Sequence, residues 1–246
     1  MNVEYEDLFG NKCITNRTAQ TIPHKKRSQL SRYRLRIAPL YLPEVTQSLR
    51  KTGSFDMPII EPNYNIPTVV ETTPFDRIGA KNANVESLVT FYVHDNRFVG
   101  RLSHPWDYTE KLKLFKGVIA PDLSQYVNMD YAVRLHNNYW NKVLTAYWQG
   151  QNVNIYPNVT WSLPDSYEFC AAGLPRKSVI AINSMGILSS NFSLSVWLDG
   201  YRYMLNVLDP LCIIRYGPKI PGENESISIY TINEQLDKLK NGRKRK

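Results

Sequence analysis

Cysteine is scarce in this chain. Cys13, Cys170 and Cys212 stand too far apart for a zinc knuckle or a redox dithiol, and three cannot build a disulfide framework. An odd count without a secretory leader points to a reducing compartment, so a cytoplasmic protein is expected. The opening residues Met1 to Asp7 are acidic and lack the basic-then-apolar order of a signal peptide. No run of 18 apolar residues exists, which excludes a hydrophobic helix long enough to span a bilayer and with it a membrane partner.

Several chemical signatures are missing as well. There is no glycine-rich phosphate loop ending in Lys-Ser/Thr and no Gly-x-Gly-x-x-Gly after a strand. No Gly-x-Ser-x-Gly elbow is present. The four histidines, His24, His94, His104 and His136, show no metal-ligand spacing. Only His94, next to Asp95, is retained as a possible acid–base group, although alternation would point the pair in opposite directions. RNA-binding sheet signatures and zinc fingers are absent, and no solenoid repeat or low-complexity tract occurs.

Acidic residues are missing from two stretches, and this absence shapes the charge of the molecule. Lys25, Lys26, Arg27, Arg32, Arg34 and Arg36 lie in one acid-free segment. Lys238, Lys240, Arg243, Lys244, Arg245 and Lys246 lie in another. The formal charge is +8, from 30 basic and 22 acidic residues, and without the two segments 18 basic residues face 22 acidic, a net −4. Clustered cations suit a polyanion, because each neutralised phosphate releases condensed counterions. DNA or RNA is therefore the expected partner of these segments. The bland alternative is a solvated face and a soluble tail.

What is present in the middle reads as a globular α/β domain. Apolar residues make up 43% of the chain, enough for a core at 246 residues. Residues 1–54 read as an irregular basic segment, with a short helix near Pro43 to Lys51 that ends at Gly53. Residues 55–230 read as the α/β domain and 231–246 as a C-terminal helix with a basic tail.

Within the domain, short apolar runs at 57–60, 88–93, 117–120, 153–156, 178–182 and 212–215 are mostly continuous, as strands covered on both faces should be. Helical segments alternate with them: one from Ser103 and Pro105, one capped by Asn128, and one opened by Ser193 that tolerates Gly200. This rhythm predicts a mostly parallel sheet of about six strands, doubly wound or an open, incomplete barrel. A strand at 226–230 and a helix over 232–239 follow.

In such sheets ligands bind outside the carboxyl ends of the strands. The residues expected there are Glu61, Asp95, Asp122, Asn158, Trp161, Asn183, Arg215 and Tyr216. Asp122 and Asp95 are the candidate acid–base carboxylates, Arg215 a candidate anion clamp, and the rest candidate ligand contacts. Paired carboxylates would also accept a divalent cation, although no metal site is assigned and no cofactor is indicated. Asp165 and Glu168 have reciprocal-cap spacing and read as structural. A nucleic-acid-associated accessory protein that binds through its basic flanks is the first expectation; an enzyme acting on a sugar or nucleotide at this rim and a structural or interaction protein are the alternatives.

One stretch is distinctive. Ile155-Tyr156-Pro157-Asn158-Val159-Thr160-Trp161 is followed by Ser166-Tyr167-Glu168-Phe169-Cys170, Gly173-Leu174-Pro175, and Ser178 through Gly186. Together with Met57 through Pro62, Pro121 through Ser124, Tyr139-Trp140 and Ala146 through Gln149, it resembles a bacterial and phage family known only as a domain of unknown function. The resemblance covers about residues 55–218. It implies a phage, plasmid or integrated-element setting and supplies no catalytic residue or substrate.

Overall fold

The computed structural model describes residues 3–6, 12–15, 42–68, 71–224 and 229–232. Both basic segments and the expected helix over 232–239 lie outside these, apart from Ile232 itself. Residues 1–54 are not irregular throughout: β1 (Val3–Glu6) pairs antiparallel with β2 (Lys12–Thr15). The short helix near Pro43 is one turn, α1 (Pro43–Thr46), with proline in the first turn as expected.

The expected strand at Met57 does not join the main sheet. β3 (Lys51–Thr52) and β4 (Met57–Pro58) form their own antiparallel pair. The parallel strands are β5 (Thr72–Pro74), β6 (Leu88–Thr90), β7 (Gly117–Ile119), β8 (Ile155–Tyr156), β9 (Val179–Asn183), β10 (Cys212–Tyr216) and β11 (Ile229–Ile232). They divide into a four-strand ladder, β5-β6-β7-β8, and a three-strand ladder, β9-β10-β11, rather than six in one. Every pairing in both ladders is parallel and every neighbour is the next strand in sequence. A single parallel bridge, Asn158 to Ala181, joins the ladders. It is flanked by bonds from the Val159 amide to the Ala181 carbonyl (2.9 Å) and from the Ala181 amide to the Pro157 carbonyl (2.7 Å).

Helices fill the connections. α2 (Val99–Leu102) and α3 (Trp106–Leu112) lie between β6 and β7, and α4 (Tyr131–Gly150) between β7 and β8. α5 (Tyr167–Ala171) and α6 (Asn191–Leu208) complete the set. The sequence places the start of α4 at Asn128, but the chain turns helical only after Asp130. Ser190, not Ser193, caps α6, its hydroxyl accepting the Ser193 amide at 3.0 Å.

Buried side chains form three layers. One unites the four-strand ladder with α3 and α4 through Phe75, Phe91, Phe98 and Trp148, in which the Phe75 and Phe91 rings stack at 4.4 Å. A second packs α5 and α6 on β9 and β10. The third consists of inward residues from successive strands: Leu88, Ile119, Tyr156, Ala181, Ile214 and Tyr216. These pack on one another, so the sheet must curl. Tyr92 and Tyr216 show how far it curls. Four inter-strand spacings separate β6 from β10, about 19 Å on a flat sheet. Their ring centroids are 4.8 Å apart. The sheet is an arc, and among the described residues it does not close into a barrel.

Candidate functional site

Asp122 sits just beyond β7, half-buried in the segment Pro121 to Gln125. That segment is pinned from both sides. Asp95 accepts the Ser124 amide (3.2 Å) and hydroxyl (3.0 Å), while Asn137 and Asn141 of α4 hold the Ser124 carbonyl (2.7 Å) and the Leu123 amide (2.8 Å). Asp95 therefore positions the loop that carries Asp122. His94, beside it, is exposed.

One oxygen of Asp122, Oδ1, accepts from Asn158 Nδ2 at 3.1 Å and from the Thr160 hydroxyl in a short bond. Asn158 in turn accepts from the Tyr92 hydroxyl at 2.8 Å and donates to Thr160 at 3.1 Å. The Asn183 side chain also bonds Asp122. Its own amide oxygen is fixed by the Met185 backbone N–H at 2.9 Å, and Trp197 donates to the Asn183 carbonyl at 2.9 Å. Tyr92, Asp122, Asn158, Thr160, Asn183 and Tyr216 thus meet at the carboxyl ends of β6 through β10, the rim the parallel reading predicts.

Burial raises the Asp122 carboxyl from 3.8 to about 6, and the nearby Asp95 charge adds to this. The bonds from Thr160, Asn158 and Asn183 favour the ionised form and partly offset the rise. Burial also lifts the Tyr92 phenol well above its usual 10, with the Asp122 and Tyr216 charges contributing, so Tyr92 stays a hydrogen-bond donor. A carboxyl that titrates near neutrality beside hydroxyl, amide and phenol groups can give or take a proton and can orient a polar ligand.

Three expected contacts lie elsewhere. Trp161 is one residue past Thr160 and faces the opposite side of the extended chain, where it packs on Trp197 at 5.6 Å and against Gly200. Arg215 alternates with the inward Ile214 and Tyr216, and its guanidinium is buried in an ion pair with Glu223. Thr231 and the Ile220 amide complete that group, at 2.6 and 3.0 Å, which leaves Arg215 structural rather than an anion clamp at the rim. The Glu61 carboxylate pairs with Arg50 at 2.5 Å, and its backbone is held by Gln149 at 3.0 and 2.9 Å. Gln149 is eight residues beyond Asn141, about 12 Å further along α4 and away from the rim loop. Asp165 does not form a reciprocal cap: it takes a two-pronged bond from Arg134 at 2.8 and 2.7 Å, which holds its carboxyl below the usual range.

Tyr92 and Thr160 are the rim residues that strand-end reasoning passes over. Both carry a period-2 signal: Tyr92 shares a face with Leu88, and Thr160 shares one with Asn158. Beneath the rim, Asn158 and Thr160 border a cavity of about 10 Å³ also lined by Asn138, Asn141, Lys142 and Thr145, room for one water molecule. Lys142 is committed there to three acceptors: Asn138 Oδ1 (2.6 Å) and the carbonyls of Phe169 (2.6 Å) and Cys170 (3.0 Å). Burial lowers its ammonium to about 7 and pushes the Cys170 thiol up to about 12, so Cys170 is no nucleophile. Among the described residues, no three His, Cys, Asp or Glu side chains cluster as a metal site would require. No helix among them is long and apolar enough to cross a membrane.

These features define a class: an α/β protein whose curled parallel strands gather polar side chains at their carboxyl ends. Residues 49–233 match the DUF4417 family, a domain of unknown function, and the chain belongs to that family. It is similar to the "Gene 1 protein" of Mycobacterium phage L5, 28% identical over 170 residues, which are 69% of this chain and 74% of the relative. The "Gene 1 protein" of Mycobacterium phage D29 is 26% identical over 166 residues, 68% of this chain and 62% of that relative. No solved structure matches the chain.

Proposed function

We propose that the rim around Asp122 is an acid–base site for a polar ligand of the sugar or nucleotide class, in which Asp122 carries the proton. Asn158, Thr160 and Asn183 hold the carboxylate, while Tyr92 and Tyr216 supply an aromatic wall. The observation that carries this reading is Asp122 itself. It is a half-buried carboxyl that titrates near 6 where side chains from five successive strands converge. Ligand-detected NMR across a panel of monosaccharides and nucleotides tests it, with the full chain compared with Asp122→Asn. Binding should follow a titration near pH 6 in the natural chain and lose that dependence in the variant. Identical profiles for the two proteins would refute the assignment.

A second reading has its own support in the clustered charge. The segments holding Lys25 to Arg36 and Lys238 to Lys246 carry twelve basic residues and no acids, whereas the remainder is net negative. In this reading the flanks grip phosphates of DNA or RNA for a phage or mobile-element accessory protein. It requires that neutralising both segments abolish nucleic-acid binding.

A further inference from the structure

The described core carries a cationic cleft that neither the rim nor the flanks explain. The connection from β5 to β6 forms one wall through Asp76, Arg77 and Gly79, and α2 and α3 form the other through Arg101, Tyr108 and Lys111. The cleft measures about 560 Å³, within the range of small-molecule sites. Arg77, Arg101 and Lys111 are all exposed. The Arg77 guanidinium has no hydrogen-bond or ion-pair partner among the described residues. Arg101 spends one N–H on the Asp76 carbonyl at 3.2 Å. Asp76 is the single acid in the lining, and Arg97 neutralises it in an ion pair.

An aromatic completes the set. Tyr108 is half-buried, anchored on Phe75 at 5.0 Å, and the Lys111 ammonium stands 6.0 Å from its ring centroid. Three cations that converge without a matching acid, beside a fixed aromatic face, repeat the two devices by which proteins hold single-stranded nucleic acid. Electrostatic contact follows the backbone, and ring faces stack on bases. Three like charges held together repel one another, and Asp76, the one acid among the lining residues, is already paired with Arg97.

The geometry points to a single-stranded nucleic-acid site in this cleft, with backbone phosphates on Arg77, Arg101 and Lys111, and a base taking the place of the Lys111 ammonium over the Tyr108 ring as that ammonium turns to a phosphate. The ligand class is shared with the flank reading, but the residues are not. The test is a salt titration of the full chain with a short labelled single-stranded DNA, read by fluorescence anisotropy. Arg77→Ala/Lys111→Ala should weaken binding about tenfold and flatten the salt dependence by about 1.4 in log–log slope, about 0.7 for each lost contact. Arg176→Ala/Arg202→Ala removes the same formal charge outside the cleft, from exposed positions, and should change affinity less than about twofold.

Equal losses in the two double variants would overturn the cleft, since general electrostatics would then suffice. Displacement of the strand from the cleft by a mononucleotide at equal phosphate concentration would overturn the strand in favour of a free nucleotide. A chain with neutralised flanks that still binds, and still responds to Arg77→Ala/Lys111→Ala, supports the cleft and rejects the flank reading. Complete loss on flank neutralisation with no effect of the cleft variants does the reverse.

Discussion

Asp122 is held in a state that costs stability. Its folded value of about 6 lies above its ordinary 3.8, so between these pH values the folded chain keeps a proton that the unfolded chain has released. Stability from this group is therefore full below about pH 4 and falls as pH rises through 6, by roughly 3 kcal/mol. Asp122→Asn keeps an acceptor for Thr160 and Asn158 and removes the charge. Urea unfolding should find it as stable as the natural chain or more stable at pH 7, without the decline between pH 4 and 6. A variant that is less stable at neutral pH and keeps the decline would show that another group titrates there. At this scale the sequence is legible where one rule suffices. Strand-end position singles out Asp122, Asn158, Asn183 and Tyr216. It errs for Trp161 and Arg215, because a second rule, alternation of faces, decides which of two adjacent residues looks inward. Glu61 is misplaced for another reason: its strand pairs with β3 and never enters the parallel sheet.

Among the elements, α6 shows why helix propensity is a weak guide. Glycine inside a helix costs about 1 kcal/mol relative to alanine, so Gly200→Ala should stabilise α6 taken alone. In the folded chain a Cβ at Gly200 would overlap the Trp161 indole. That ring is wedged between Gly200 and Trp197, and Trp197 stacks on Tyr201 at 4.9 Å. Gly200→Ala should therefore lower stability by about 1–3 kcal/mol, visible as a lower midpoint in denaturant unfolding. An unchanged or higher midpoint would mean that Trp161 swings aside freely. The periodic helices α4 and α6 are readable from sequence because their apolar stripes are long, whereas their first turns are set by cap geometry at Asp130 and Ser190. The strand β5 escapes a hydrophobicity reading altogether: Thr72, Thr73 and Pro74 make an edge strand with little apolar character.

For the whole molecule, charge and topology are separable. The flanks turn a net −4 into +8, so neutralising them inverts the field that an approaching polyanion meets. If they are the grip, single-strand affinity should drop by at least tenfold at low salt and lose most of its salt dependence in the neutralised chain. Affinity that survives the inversion would place the contact surface on the core. Topology was legible as an alternation of strands and helices with parallel sense. The division into two ladders was not, because it depends on a single bridge at Asn158 and Ala181, and no local pattern marks a bridge of one residue pair.

The contact between Tyr92 and Tyr216 acts as a latch across the mouth of the arc. The rings sit at the ends of strands that are distant along the sheet, so a guest that wedges between them has to displace at least one ring. Because the Tyr92 hydroxyl bonds Asn158 and Asn158 bonds Asp122, displacement of that ring is felt at the carboxylate through this short relay.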